Sequence, residues 1–516
     1  MPLTGIAVDD PTPGTRREII FAAGSSLGSG GARSIILMGN MTASGSATLE
    51  TVYGPFDNDQ DFKDRFGNRA ELYQNWRALI AANQGASVYG YAVTEAASSP
   101  SAATCTFTFV NAATDTTTVD LTWGGLVTSF GVASGDSVTT QAAAMVAAIN
   151  SADQGTWPFT AAATVGVVTL TMAQLGDKGD LTLNRVRATY RKNVTTTLTK
   201  SAVTNGSGTD DYTTAYANIA TFGAVYYQAS SKHATGAVTA TDNGIGEHIA
   251  AINLQALPKN GRNQMAIFGL VGTQSQQTTV CTSSAANAVR ARFVWAENND
   301  WTPGMLAAHH AGVLQLGHAL HPNYNFTGYA NKAGTPYTVP PPFDRNDIPT
   351  GTEIKAALNS GACPVTFNSL GSPKLVREIT SYSLLPGTTT NDFRAREGNL
   401  QSSLDFTWDN VIAPRYEAQK QPTLANDPPE GAIPLPGVQY PNGVRSMFID
   451  VINDLTGPNP LGLYTGPILN PDATARMIAS IIAKKITGGI SVVCDLQAAE
   501  HNNKAEVSLR ETSAPQ

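Results

Sequence analysis

Residues 201–350 alternate between short β-prone runs and helical segments, and this alternation constrains the fold more than any other feature of the sequence. The predicted elements are, in order, a strand at 222–227, a helix near 245–257, a strand at 265–271, a helix near 283–289, a strand at 291–295, and a helix that Thr302 caps and Pro303 opens, ending at Leu320. Strands that alternate with helices form a mostly parallel sheet covered by helices. Residues 19–98 repeat the pattern, with strands at 34–38 and 88–93 around an amphipathic helix within 68–83.

Residues 99–200 have a different pattern of polar and apolar residues. The runs at 106–110, 118–123, 165–171 and 180–183 alternate polar and apolar side chains with period two, which is typical of half-buried antiparallel strands. One Ala-rich helix is predicted over 140–150. These residues therefore predict a compact β-rich unit inserted into the α/β region.

The predicted fold class is a multidomain α/β plus β-rich protein, an α/β core with an inserted antiparallel β module and extended arms at both ends. Prolines and Gly14 without a helical period indicate the first arm. The predicted divisions are an arm at 1–18, the first part of the α/β core at 19–98, the β-rich insert at 99–200, an α/β domain at 201–350, the C-terminal part of the core at 351–487, and a C-terminal strand and arm at 488–516.

Charge is scarce in this chain. Lys, Arg, Asp and Glu make up 14% of the residues, against about 25% in typical soluble proteins. Charged groups are depleted at the cores of protein interfaces, so this composition indicates a subunit that hides much of its surface against others. The net charge of −7 and the absence of a Lys/Arg run argue against direct nucleic-acid binding.

The sequence offers neither an apolar run long enough to insert in a membrane nor a signal-peptide layout, which predicts folding in a cytosol.

No catalytic constellation stands out. The glycines at 24–31 match neither phosphate-binding nor dinucleotide-binding spacing, and no GxSxG sequence occurs in a strand-to-helix context. Histidines 309, 310, 318 and 321 fall on one predicted helix, but His310 and His321 are separated by about 16 Å along it, too far for one ion. The sequence therefore predicts neither an enzyme nor a cofactor or metal.

Read in order, the segments resemble the contractile tail sheath proteins of phages, the Mu-like branch above all, and more distantly the sheaths of R-type pyocins and type VI secretion systems. The resemblance covers most of the chain, and its order and spacing matter more than any single motif. The segments that carry it are 35–39, 61–67, 133–137, 148–150, 166–171, 176–180 and 375–382.

This resemblance implies a structural subunit of a virion tail, assembled in the host cytoplasm. Such subunits polymerise as stacked hexameric rings around a tail tube and contract to drive the tube through the host envelope. The implied partners are other copies of the chain, the tail tube protein, and the baseplate and neck or terminator proteins. Two alternatives stay open, a β-rich surface binding protein and an α/β hydrolase with a decorating domain.

Two segments without a local core are predicted to pair with strands of neighbouring subunits. The first is the N-terminal arm, from residue 1 to about 17, together with Ile19 and Ile20 of the strand that follows it. The second is the β-prone run 490–496, with Ile490, Val492 and Cys494.

A helix is predicted over 471–486, and the resemblance implies that it faces the inner tube. It carries Arg476, Lys484 and Lys485 beside an apolar face. The alternative is a solvated basic helix end, which the helix dipole favours.

The cysteines are widely spaced and form no CxxC pair. Cys494 lies in the predicted exchanging strand and Cys105 opens the insert, so one hypothesis is an inter-subunit disulfide formed after release into an oxidising medium. The alternative is that all four thiols, with Cys281 and Cys363, are buried packing residues.

Overall fold

The computed structural model describes residues 33–496 apart from short internal segments. The undescribed residues are 1–32, 95–99, 152–155, 177, 193–196, 223–224, 243, 258–261, 322–323, 325, 327–336, 343, 386–387, 389, 392–396, 420–422, 463–465, 487–488 and 497–516. The predicted N-terminal arm and the strand-exchange residues Ile19 and Ile20 therefore lie outside the described residues.

The described chain is mixed α/β with several sheets. Its strands are β1 (Ser34–Gly39), β2 (Val52–Phe56), β3 (Val88–Ala92), β4 (Ala102–Phe109), β5 (Thr117–Trp123), β6 (Leu126–Val132), β7 (Phe159–Thr164), β8 (Val167–Leu175), β9 (Arg187–Tyr190), β10 (Leu198–Lys200), β11 (Val225–Ser230), β12 (Met265–Leu270), β13 (Ala291–Trp295), β14 (Ala362–Phe367), β15 (Pro373–Leu375), β16 (Thr423–Leu424), β17 (Val438–Gln439), β18 (Ile482–Ile486) and β19 (Gly489–Val493).

The helices follow the same chain order. They are α1 (Asp59–Phe66), α2 (Glu71–Ala82), α3 (Val138–Asn150), α4 (Gly179–Leu183), α5 (Thr213–Thr221), α6 (Ile245–Gln255), α7 (Gln274–Cys281), α8 (Pro303–Leu320), α9 (Gly351–Ser360), α10 (Gly398–Phe406), α11 (Ala413–Gln419), α12 (Pro441–Thr456) and α13 (Thr474–Ser480). A π-helical segment, Thr407–Ile412, joins α10 to α11.

The largest sheet has the strand order β15-β14-β13-β12-β11-β1-β3-β2. Its six inner strands are parallel, and β2 and β15 pair antiparallel at the two edges. Both faces are covered: Ile35 and Leu37 of β1 pack in the cluster that includes α2 and α8, whereas Ile36 and Met38 pack against α5. The prediction of a largely parallel, helix-covered sheet is confirmed.

Helix α8 begins where its sequence predicts. The Thr302 hydroxyl accepts a hydrogen bond from the Met305 N–H (3.4 Å), and Pro303 occupies the first turn. Pro suits this position because its missing N–H would have no partner inside the helix. The helix packs on α2 and on β11 and β12, and it brings His309, His310 and His318 into the buried interior.

Strands β4 to β10 separate β3 from β11 in the chain and form two antiparallel sheets, ordered β10-β4-β8-β7 and β6-β5-β9. Alternate side chains of β4 and β8 are buried, as the period of two predicts, and α3 packs on β6, β7 and β8. The β-rich unit is thus inserted into the chain between β3 and β11, two strands of the large sheet.

Two local predictions are wrong. Residues 180–183 belong to helix α4 rather than to a strand, and 283–289 lie outside the helices, since the helix in that region is α7. A reciprocal capping box between Thr273 and Gln276 starts α7. Its polar sequence has little apolar period, so the capping box is the signal that locates it.

The β-rich unit is anchored to the large sheet by a mostly buried polar cluster, which consists of the ions Lys178, Glu71 and Asp210 and the amide of Asn40. Lys178 Nζ lies 2.7 Å from Glu71 Oε2 and 2.5 Å from Asp210 Oδ2. Asn40, directly after β1, donates to Asp210 Oδ1 at 3.0 Å. Burial alone would lower the pKa of Lys178, but the two carboxylates outweigh it and raise this pKa well above its usual value.

Replacement of Lys178 should test this anchor. Lys178→Met leaves the buried Asp210 and the half-buried Glu71 without their cation, and we expect a loss of about 3 kcal/mol in the free energy of unfolding. Lys192→Met is the matched control, because Lys192 pairs with Asp115 at the surface and should cost below about 1 kcal/mol. Urea unfolding of both variants measures the difference. Equal losses would contradict the anchoring role.

Candidate assembly interface

The C-terminal region has a hydrophobic core of its own, distinct from those of the large sheet. This core joins α12, α13 and the end of the π-helical segment, and its buried members are Phe406, Val411, Ile412, Val444, Met447, Phe448, Val451, Ile452, Leu455, Ile468, Leu469, Ala473, Met477 and Ile481. On α12 the apolar residues recur at helical spacing, so one side of the helix is buried. Helix α12 is an element that the sequence prediction missed.

The last two strands form an antiparallel hairpin on α12. Ile482 pairs with Val493, Ala483 with Val492, and Lys485 with Ile490. Ile490 and Val492 pack against the C-terminal core, whereas Ile482 and Val493 are 52% and 56% exposed. Because strand side chains alternate between faces, one face of the hairpin is attached and the other presents an apolar pair to solvent.

The hairpin has two open edges among the described residues. β18 and β19 pair only with each other there, so each leaves a row of backbone N–H and C=O groups on its outer side. Such edges are templates for strands from another chain. Within the described part of the chain, this hairpin therefore has backbone groups available to pair with a further strand.

The predicted helix over 471–486 is wrong in its second half. Helix α13 ends at Ser480, and Lys484 and Lys485 lie exposed on strand β18, so only Arg476 is helical. Isoleucines and valines on both sides of Gly488-Gly489 signal a hairpin rather than a continuing helix. Pairing with β19 and packing on α12 outweigh the helical period of the apolar residues. The three basic residues are thus on two elements.

The strand predicted over 490–496 is present as β19, and Ile490 and Val492 lie on it. Cys494 follows the strand, and its Sγ lies 3.7 Å from the carbonyl oxygen of Met477. The partner strand of β19 is β18 of the same chain. Exchange between subunits therefore remains a prediction for the open edges.

The C-terminal core is held to the large sheet by buried polar contacts. Arg290, just before β13, donates to both carboxylate oxygens of Asp405 at 2.9 and 3.0 Å. The Tyr226 hydroxyl also donates to Asp405, at 2.8 Å. Arg33 and Asp409 add a second, solvent-exposed ion pair at 2.9 Å. The bidentate geometry specifies direction, so these contacts orient α10 and the π-helical segment, which border the C-terminal core, relative to the large sheet.

The cysteines differ in burial. Cys105, Cys281 and Cys363 are buried free thiols, and Cys494 is half-buried. Cys105 lies on β4 with 2% of its surface exposed, so the chain would have to open locally for this thiol to meet a partner. An inter-subunit disulfide at Cys105 and Cys494 remains a prediction.

The histidines on α8 are in the core. Burial lowers the pKa of His309 to about 4 and those of His310 and His318 to about 3, so all three are neutral at neutral pH. His321 forms the helix C-cap. These histidines share a helix, as predicted.

No protein-family model matches the chain, and a search of curated proteins finds no match either. Among the described residues, no helix has the length and apolar character that crossing a membrane requires.

Alkylation of the native chain should distinguish Cys494 from the other thiols. Burial raises the pKa of Cys494 to about 11, so its reaction is slow, but the fully buried thiols are also shielded from the reagent. We expect iodoacetamide at pH 8.5 to label the native chain once and the denatured chain at all four cysteines. Mass spectrometry gives the sites. Cys494→Ser should abolish native labelling, and labelling of Cys105 at an equal rate would contradict the assignment.

Proposed function

We propose that this chain is the structural subunit of a contractile phage tail sheath, with an α/β sheath core, the β-rich insert and exchanging arms. In this proposal, copies assemble as stacked hexameric rings around a tail tube in the virion and contract when a baseplate triggers them. The single observation that carries the proposal is the two-stranded hairpin with open edges, mounted on its own hydrophobic core. The order of sequence segments supplies the resemblance to the family.

The hairpin supports assembly by strand addition. An isolated two-stranded sheet is at best marginally stable in water, whereas three or more strands on an apolar face are stable. A strand added at either edge would gain backbone hydrogen bonds and cover part of the exposed pair Ile482 and Val493. We propose that the arm ending at Ile19 and Ile20 supplies such a strand to a neighbouring subunit. Eighteen extended residues reach at most about 60 Å, enough to connect adjacent subunits.

Contraction in this proposal needs two packings of the same subunits, with the second lower in free energy and a barrier between them. No nucleotide, cofactor or hydrolysis is required, because newly buried surface summed over many copies supplies the work. Joints made by main-chain hydrogen bonds survive such a rearrangement better than rigid faces do. The low charge content of 14% is consistent with extensive subunit contacts.

Electron microscopy of the purified chain tests the proposal. Tubes or rings of regular width are expected, and monodisperse monomers at high concentration would contradict it. Deletion of residues 1–14, and separately Ile482→Asp with Val493→Asp, should leave a folded subunit that no longer polymerises. A charge at an apolar joint is costly because it must be desolvated.

Val127→Asp is the control for the hairpin variant. Val127 is 57% exposed on strand β6 of the insert, so its replacement adds an acidic group at similar exposure but away from the hairpin. This control should polymerise normally. Polymers of normal length from the hairpin variant would exclude the hairpin as the joint, and circular dichroism checks that each variant is folded.

The tube-facing role stays attached to Arg476 on α13 and to Lys484 and Lys485 on β18, whose side chains lie on opposite faces of the hairpin. Reversal of both lysines to Glu should weaken binding to the cognate tube protein about tenfold, with a reduced dependence on salt. Lys355→Glu reverses one exposed charge on α9 and should leave binding unchanged. Co-sedimentation with tubes at two salt concentrations measures the effect. Equal binding by all three proteins would remove this assignment.

A further inference from the structure

We propose that His310, Cys363 and Glu378 form a binding site for one zinc ion inside the core. Their ligand atoms, an imidazole nitrogen, the Sγ and a carboxylate oxygen, all lie within 4.8 Å of one another. The three residues come from α8, β14 and the segment after β15. At most 5% of any of them is exposed.

His310 supplies an independent indication of a ligand. It is fully buried, and neither of its ring nitrogens has a hydrogen-bond partner among the described residues. A buried polar atom without a partner has lost its hydration and gained no hydrogen bond in return, which is unfavourable. The neighbouring His309 is satisfied, because its Nδ1 lies 2.9 Å from the Ala78 carbonyl oxygen and its Nε2 accepts from the Thr338 N–H at 3.2 Å. A metal ion at His310 would satisfy one nitrogen by direct coordination.

The donor set selects the class of metal. Imidazole nitrogen, thiolate sulfur and carboxylate oxygen are the ligands of zinc, which they hold at about 2.0–2.3 Å. Magnesium and calcium require mostly oxygen ligands and do not suit this set. The donor atoms lie within 4.8 Å of one another. Small side-chain rotations would bring them to the separations of about 3.3–3.8 Å that a tetrahedral site requires. Three protein ligands leave the fourth position to a water molecule.

Zinc binding at this site releases one proton and leaves a defined net charge. The Cys363 thiol lies 3.2 Å from the Ile379 carbonyl oxygen, to which it donates. On binding, the S–H bond breaks, a Zn–S bond forms with the sulfur electron pair, and the proton leaves to solvent. Arg292 Nε donates to Glu378 Oε1 at 2.5 Å, which orients the carboxylate as an outer partner of the metal. Zn²⁺ with Arg292, the thiolate and Glu378 gives the site one net positive charge.

The ion would connect the large sheet to the helix that covers it. Glu378 is separated from His310 by 68 positions in the chain (378 minus 310), so coordination would close a long loop. All three ligands are buried, and the metal must therefore enter while the chain folds or during a local opening. Slow exchange with chelators follows from this burial.

Metal analysis of the full-length protein tests the site. Protein produced with zinc in the medium and dialysed against EDTA should retain about one zinc per chain by plasma mass spectrometry. Protein produced with Co²⁺ should show a near-ultraviolet thiolate-to-cobalt band. In Cys363→Ala, the band should disappear and the metal content fall at least about tenfold. Cys281→Ala, which also removes a fully buried thiol, should retain both.

Three outcomes would overturn the site. The first is wild-type protein with neither retained zinc nor a thiolate band. The second is equal metal content in wild type and Cys363→Ala, which would show adventitious ions only. The third is equal loss in Cys281→Ala. If Cys363→Ala does not fold, the wild-type metal content and cobalt spectrum decide alone.

Discussion

The arrangement of the described chain depends on the ion cluster that Lys178 forms with Glu71 and Asp210 at the base of the β-rich unit. Lys178 precedes α4 in that unit, Glu71 begins α2, and Asp210 lies where the chain returns towards the large sheet. Two carboxylates and one ammonium lose most of their hydration there, so the cluster is stable only with every partner in place. Asn40 extends it to the end of β1. The end of β1, the start of α2 and the base of the insert are thereby linked.

Sequence patterns predicted the elements whose signals are local. The cap and proline of α8, the apolar stripe of α2 and the strand-helix alternation of the large sheet all appear in the structure. Helix α7 was missed because its polar sequence has little apolar period and only its capping box marks it. Strand β18 was missed because the helical period of the apolar residues before Gly488-Gly489 was misleading. Neither the Lys178 cluster nor the His310 cluster could be predicted, since their members are far apart in sequence and meet only through tertiary packing.

The hairpin balances two opposing requirements. Open edges invite pairing with any extended chain, and natural proteins place lysines on such edges to discourage it. Lys484 and Lys485 are consecutive on β18 and present one cation on each face of the hairpin, while Ile482 and Val493 form an exposed apolar pair nearer its other end. Pairing with a partner strand requires desolvation of the region around two cations. The free energy gained from hydrogen bonds and apolar contact must exceed this cost. That requirement favours a specific arm over unrelated strands.

The connection between the hairpin and the large sheet bears on how a sheath could move. Arg290 and Asp405 are 4% and 0% exposed in their side chains, and removing one member of such a pair costs about 3–5 kcal/mol. Sliding this contact would pass through an unpaired buried charge, so the C-terminal core should turn together with its own large sheet. Under the proposed function, rearrangement between subunits must then be absorbed elsewhere. In this proposal, the rearrangement is absorbed by the segment that connects a donated strand to its own subunit. This segment can reorient while the backbone hydrogen bonds in the shared sheet persist.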